Sequence, residues 1–255
     1  FNIFLLTNVL GPMKQAYLNM PVVSTFVLFM GAGYIIGGIR SCLIVGSLIL
    51  FIALSEYWDR TLITLYMATF AVGVSAISGI VVGSLCAQNE LASKSILSLC
   101  DFFQTFPSFI YLIPVILLFG ITDTSVMIAA IVYASVPATR YTVEGLRSVP
   151  PSLHDAGSMS GVSKMQRWRL IDLPLALPHI MLGINQTVIF ALMMIVLGAL
   201  IGTEDLGQLI MGSLSRPNGA GIGFTLGIFI SFICLAVDNL IRTWADERKK
   251  LLGIE

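Results

Sequence analysis

Charge is what this sequence has least of. Of its 255 residues only 11% are Asp, Glu, Lys or Arg, while 56% are hydrophobic, and the mean hydropathy is +0.92. A soluble domain is about one quarter charged, so water is not the solvent for most of this chain. Histidine is scarce as well: His154 and His179 stand apart and form no metal or catalytic set. The four cysteines, Cys42, Cys86, Cys100 and Cys234, are scattered without a Cys-x-x-Cys pair, so neither a disulfide framework nor a zinc site follows. No Gly-x-x-x-x-Gly-Lys-Ser/Thr run exists to cradle phosphates. Gly157-Ser158-Met159-Ser160-Gly161 has Met159 where a nucleophile elbow needs serine. With 14 basic against 14 acidic residues there is no basic surplus for nucleic acid. These absences predict a chain that is not an enzyme, binds no metal and no cofactor, and contacts membrane lipid.

What is present is a series of long uncharged runs separated by polar islands. A helix needs about 20 apolar residues to cross a hydrocarbon core of about 30 Å. Spans are accordingly expected over 20–39, 41–55, 61–87, 102–121, 124–139, 179–201 and 219–241, the second and fifth being short. Lys and Arg are retained on the cytoplasmic side of membranes. Arg140, Arg147, Lys164, Arg167 and Arg169 lie between the fifth and sixth spans, and Arg248, Lys249 and Lys250 follow the seventh. Both regions are therefore expected in the cytoplasm, C-terminus included, with the N-terminus outside. Only Arg60 and Arg216 fall in the loops left for the exterior, 56–60, 122–123 and 202–218. An all-α polytopic membrane protein follows, with an interfacial segment over 1–19, peripheral spans over 20–60, a core over 61–243 and a tail over 244–255. The chain begins at Phe1 rather than Met, so its N-terminal end is left open.

The segment from Thr139 to Pro178, with a connecting loop over 140–178, is long for a connection within one domain. Pro150-Pro151-Ser152 is a stop followed by a cap, and Leu153, Ala156, Met159 and Ser160 then recur at helical spacing. Gly161 is expected to end this helix, Ser163 to cap a second, and Pro174 and Pro178 to terminate that one.

Asp155-Ala156-Gly157, three residues, Gly161, nine residues and Ile171-Asp172-Leu173-Pro174 together resemble the "EAA" pattern of permease subunits of bacterial ABC importers. That pattern is Glu-Ala-Ala, three residues, Gly, nine residues, Ile-x-Leu-Pro; Asp155 and Gly157 are the departures. Gln104–Ile121, Asp172–Val188 and Leu200–Ile210 look closest to the glycine betaine/proline/choline branch. The resemblance implies a type I importer (MetI-like) transmembrane domain and a cytoplasmic coupling helix docking on an ATP-binding cassette subunit through Asp155, Ala156, Gly157, Gly161, Ile171, Leu173 and Pro174. It also implies ATP and Mg on that partner, a homodimer or a paired permease, an extracytoplasmic substrate-binding protein and a small quaternary-amine or betaine-like solute in a cell inner membrane.

Other polar residues admit two readings. Asn185 and Gln186 either line a pathway or bond between helices. Pro107 and Pro114 interrupt the fourth span and leave carbonyls to be satisfied; Thr105 and Pro107 are further pathway candidates. Asp238 and Arg242 have the spacing of a helix-end pair, and Glu204 and Asp205 are placed to meet a donor protein. Intramembrane acids that would mark an ion-coupled carrier are otherwise missing. A membrane scaffold subunit and an ion-coupled secondary carrier are the competing readings.

Overall fold

A computed structural model describes residues 2–153 and 159–252. Asp155, Ala156 and Gly157, with His154 and Ser158, lie outside the described residues. Helix dominates, and no strand occurs among the described residues.

The N-terminal segment forms α1 (Asn2–Leu5), a π turn (Leu6–Leu10) and α2 (Gly11–Leu18). Leu10 is buried in the main core, and Leu5, Leu6, Met13 and Tyr17 pack against that core. The long elements are α3 (Val22–Ala53), α4 (Trp58–Ala87), α7 (Asp123–Arg147), α9 (Leu173–Gly198) and α11 (Ala220–Leu252). Between them lie α5 (Glu90–Thr105), a 3-10 turn (Ser108–Tyr111), α6 (Leu112–Phe119), α8 (Lys164–Arg167) and α10 (Leu206–Leu214). Among the described residues five helical runs are long and apolar enough to cross a membrane, or six if α5 and the segment after it are one broken span.

Seven separate helices are thus not what the expected spans become. The first two, 20–39 and 41–55, both fall in α3, which folds back at Gly37 and Gly38, the latter at φ +64° and ψ −156°. A Cβ on Gly46 would lie 3.1 Å from Met30 Cγ, although a straight helix would separate the two residues by about 24 Å. The arms are therefore antiparallel, and their turn rests on α11, where Ser41 and Thr243 hydroxyls are 3.4 Å apart. Val45 and Ile49 pack with Ala236 in a small cluster of their own.

The fourth expected span, 102–121, is broken. α5 and Ser108–Phe119 meet at 103°, because Pro107 forces Phe106 into extended backbone at ψ 138°. Pro114 breaks nothing, since it sits in the first turn of α6, where its missing N–H is unneeded. The fifth span outlasts its apolar stretch: α7 continues to Arg147, its polar end held by Arg140 Nε 3.0 Å from Glu144 Oε1. Arg248, Lys249 and Lys250 likewise ride on α11. Loss of hydrophobicity marks where lipid ends, not where hydrogen bonding along the helix ends.

α7 is the central element. α4 crosses it where Gly79 and Gly83 remove side chains: a Cβ on Gly79 would lie 2.5 Å from Ala138 Cβ, and one on Gly83 would lie 2.7 Å from Thr142 Cβ. Small residues let membrane helices approach closely. Val126, Met127, Ala130 and Ala134 of α7 fill the core with Met67 and Ala71 of α4 and Leu192 and Ile195 of α9.

Candidate functional site

The connection between α7 and α9 is built from punctuation. Ser148 closes α7 by donating its N–H to Glu144 O at 2.9 Å, and helix resumes at Pro151, Ser152 and Leu153. Gly161 has φ +73°, the left-handed turn that ends a helix. Ser163 then makes the expected cap in its reciprocal form: its Oγ accepts from Gln166 N at 3.3 Å, while Gln166 Oε1 accepts from Ser163 N at 2.9 Å. Met159, Met165 and Leu170 expose their apolar side chains here, Met159 by 90%.

The second helix does not stop at Pro174 or Pro178. A π turn over Trp168–Asp172 carries it into α9, with Leu173 N–H donating to Trp168 O. Its wider hydrogen-bonded ring accommodates the proline ring that a tight α-turn would clash with. The same turn brings residues five apart onto one side. Arg167 Nε lies 3.5 Å from Asp172 Oδ2, and Asp172 is buried. Sequence reading missed this pair, because α-helical neighbours are three or four apart. Leu173 packs beside Leu146, Ala176 and Ile180, so the Ile171–Pro174 stretch anchors the connection to the end of α7. Ile171 and Pro174 are half-buried.

The pathway candidates do not form one group. Thr105 ends α5 with its Oγ1 donating to Phe102 O at 2.7 Å, and Pro107 lies exposed at the break. Asn185 is 1% exposed and faces α11, where its Nδ2 donates to Asp238 Oδ1 at 2.6 Å. Arg242 Nε also donates to Asp238 Oδ1, at 2.6 Å, so the expected helix-end pair is part of a three-residue set. Gln186, one position on, is half-buried. A row of aromatic rings ties the break sideways: Tyr111 and Tyr133 have centroids 5.3 Å apart, and Tyr133 stacks on Phe190 at 4.9 Å.

At the opposite end, the 202–205 connection is tied down. Lys14 Nζ lies 3.3 Å from Glu204 Oε2 and 3.8 Å from Asp123 Oδ2, and Arg60 Nη1 donates to Glu204 O at 2.7 Å. Asp205 caps α10, accepting from Gln208 N at 3.0 Å. It is fully buried, so it offers no surface to a donor protein, whereas Glu204 is exposed. Burial pushes the Asp205 carboxyl up to about 6, against the pull of the Gln208 N–H. Among the described residues no His, Cys, Asp and Glu gather into a metal-holding group.

A glycine-packed bundle of membrane-length helices, with a capped, apolar-tipped connection at one end, defines a multi-pass membrane protein. The chain belongs to the family described as binding-protein-dependent transport system inner membrane component, whose model matches residues 79–250. It is 63% identical over 254 residues to the trimethylamine N-oxide transport system permease protein TmoV of Pelagibacter ubique, covering 100% of this chain and 35% of that one. The Ruegeria pomeroyi protein of the same name is 41% identical, over 96% of this chain and 37% of that one. The glycine betaine/proline betaine transport system permease protein ProW of Escherichia coli is 31% identical, over 92% of this chain and 66% of that one. The chain thus spans about a third of the length of the two trimethylamine N-oxide permeases.

Proposed function

We propose that this chain is the membrane-spanning part of an ATP-driven importer for a small, methylated amine osmolyte of the betaine or amine N-oxide type. A substrate-binding protein hands the solute over on one side, and ATP with Mg is used by a separate ATP-binding cassette subunit on the other. The relatives are named for trimethylamine N-oxide and for glycine betaine transport, which supports that solute class.

The observation that carries this reading is the connection after α7. It holds the EAA-type spacing, is pinned at one end by Leu173 against Leu146, and leaves Met159 exposed beyond a glycine turn. A short element fixed to the central helix can pass a displacement from a soluble motor into the bundle. Asp155, Ala156 and Gly157 belong to this handle, and its basic residues support a cytoplasmic position for it and for the C-terminal end of α11. Two copies, or this chain with a related permease, enclose the pore. ATP binding draws their handles together, and hydrolysis resets them. Thr105 and Pro107, at the break between α5 and α6, face the solute, whereas Asn185 serves the α9–α11 contact.

Reconstituting the permease with its ATPase tests this. Hydrolysis is expected to rise several-fold when binding protein loaded with trimethylamine N-oxide or glycine betaine is added. Hydrolysis indifferent to loaded binding protein would favour a membrane scaffold, and uptake that survives ATP depletion would favour an ion-coupled carrier.

A further inference from the structure

A cavity of about 810 Å³ has no part in the function proposed for this chain. It opens between the end of α4 and the α8 and π-turn segment. Its α4 wall is mainly apolar, from Ile80, Val81 and Leu85, with Ser84 and Gln88 as its polar members; Val81 and Leu85 are exposed and continue the outer surface of the helix. The facing wall carries Lys164, Arg167 and Trp168. One acid lines it, Asp172, and that acid is buried beside Arg167. Lys164 makes no ion pair among the described residues, so the groove presents a net positive charge. Two further donors on its walls, Ser84 Oγ and Trp168 Nε1, are shielded from water and have no hydrogen-bond partner among the described residues.

A mainly apolar wall continuous with the lipid-facing surface, with cations and an unpaired indole N–H opposite and an unpaired Ser84 hydroxyl beside it, matches one ligand chemistry. Acyl chains suit Val81 and Leu85, and an acidic phosphate headgroup suits Lys164, Arg167, Ser84 and the Trp168 indole N–H. We propose that this groove is a binding site for an anionic phospholipid, taken from the leaflet on the side of the α7–α9 connection. A bound lipid would brace the π turn from which the connection emerges. The site is independent of which solute, if any, is transported.

The test uses the indole as reporter. With Trp58→Phe and Trp244→Phe, Trp168 is the one tryptophan left in this chain. The protein is placed in phosphatidylcholine nanodiscs doped with brominated phosphatidylglycerol or, at equal mole fraction, brominated phosphatidylcholine. Brominated phosphatidylglycerol is expected to quench Trp168 several-fold more strongly, and Lys164→Gln is expected to bring the ratio close to one. Native mass spectrometry of the protein with all its tryptophans should show phosphatidylglycerol retained, and lost on Lys164→Gln. Equal quenching by the two lipids would overturn the proposal, as would a preference that survives Lys164→Gln. Absence of quenching by either lipid would mean that protein closes the groove. Relief of quenching by inorganic phosphate would assign the cations to a soluble anion, and both results also overturn the site.

Discussion

Asn185 on α9 donates a 2.6 Å hydrogen bond to Asp238 on α11, the same carboxylate oxygen that Arg242 reaches from one turn further along. One acid, 27% exposed at its side chain, is thereby shared between a neighbouring helix and its own. The bond joins the helix that leaves the α7–α9 connection to the last helix of the chain, so it holds two long elements in register.

Replacing Asn185 with Leu is expected to loosen that register. Interhelical hydrogen bonds in membrane proteins contribute about 0.6 kcal/mol on average and up to about 1.7, and loss near the upper end is expected for a residue this buried. A thermal melt in detergent should shift down by a few degrees for Asn185→Leu and much less for Asn185→Asp with Asp238→Asn, which restores an amide–carboxylate pair.

The α4–α7 crossing gives a sharper prediction. A side chain on Gly83 would press on Thr142 Cβ and on Thr139 O, at 2.7 and 2.9 Å, so Gly83→Val should cost about 1–3 kcal/mol by overpacking. Gly73, with nothing within 4 Å, lies on the same helix, and Gly73→Val serves as the control. Equal melting temperatures for the two variants would contradict the packing.

Asp205 makes stability depend on pH in a stated direction. Its carboxyl is pushed up to about 6 by burial, above about 3.9 for an unfolded chain. The folded state therefore binds the proton more tightly. This contribution is present in full below about pH 4 and is lost as pH rises through about 6, by at most about 3 kcal/mol. Asp205→Asn keeps an oxygen for the Gln208 N–H and removes the titration, so its melting temperature should change less between pH 4 and 7 than that of the unsubstituted protein.

Gly161 separates backbone from bulk. Nothing lies within 4 Å of a Cβ built there, but φ is +73°, a region that Asn tolerates and β-branched residues avoid. Gly161→Asn should preserve transport-linked ATP hydrolysis, and Gly161→Val should lower it at least several-fold with membrane insertion intact.

Legibility followed local chemistry. The Ser163 cap and the Gly161 turn could be read directly, because each depends on one residue's own backbone preferences and a neighbour three or four positions away. The Arg167–Asp172 pair was hidden by a π turn that no residue in it announces. Seven apolar runs suggested seven helices, yet Gly37-Gly38 joins two arms into one folded element and Pro107 bends another. The glycines all look alike as letters. Contact with α7 distinguishes Gly79 and Gly83 from Gly73, and that is a property of the assembled bundle. Asn185 admits both pathway and packing, and the hydrogen bond to Asp238 that supports packing is a property of the folded bundle.

The central claim is that the exposed tip after α7 is the part a cytoplasmic ATPase grips. A photoreactive amino acid at Met159, which is 90% exposed, in the assembled transporter tests it most directly. The account predicts a covalent adduct with the ATP-binding cassette subunit from position 159 and none from Leu214, exposed at the opposite end of the bundle. Capture of that subunit from position 214, or of the substrate-binding protein from position 159, would contradict it.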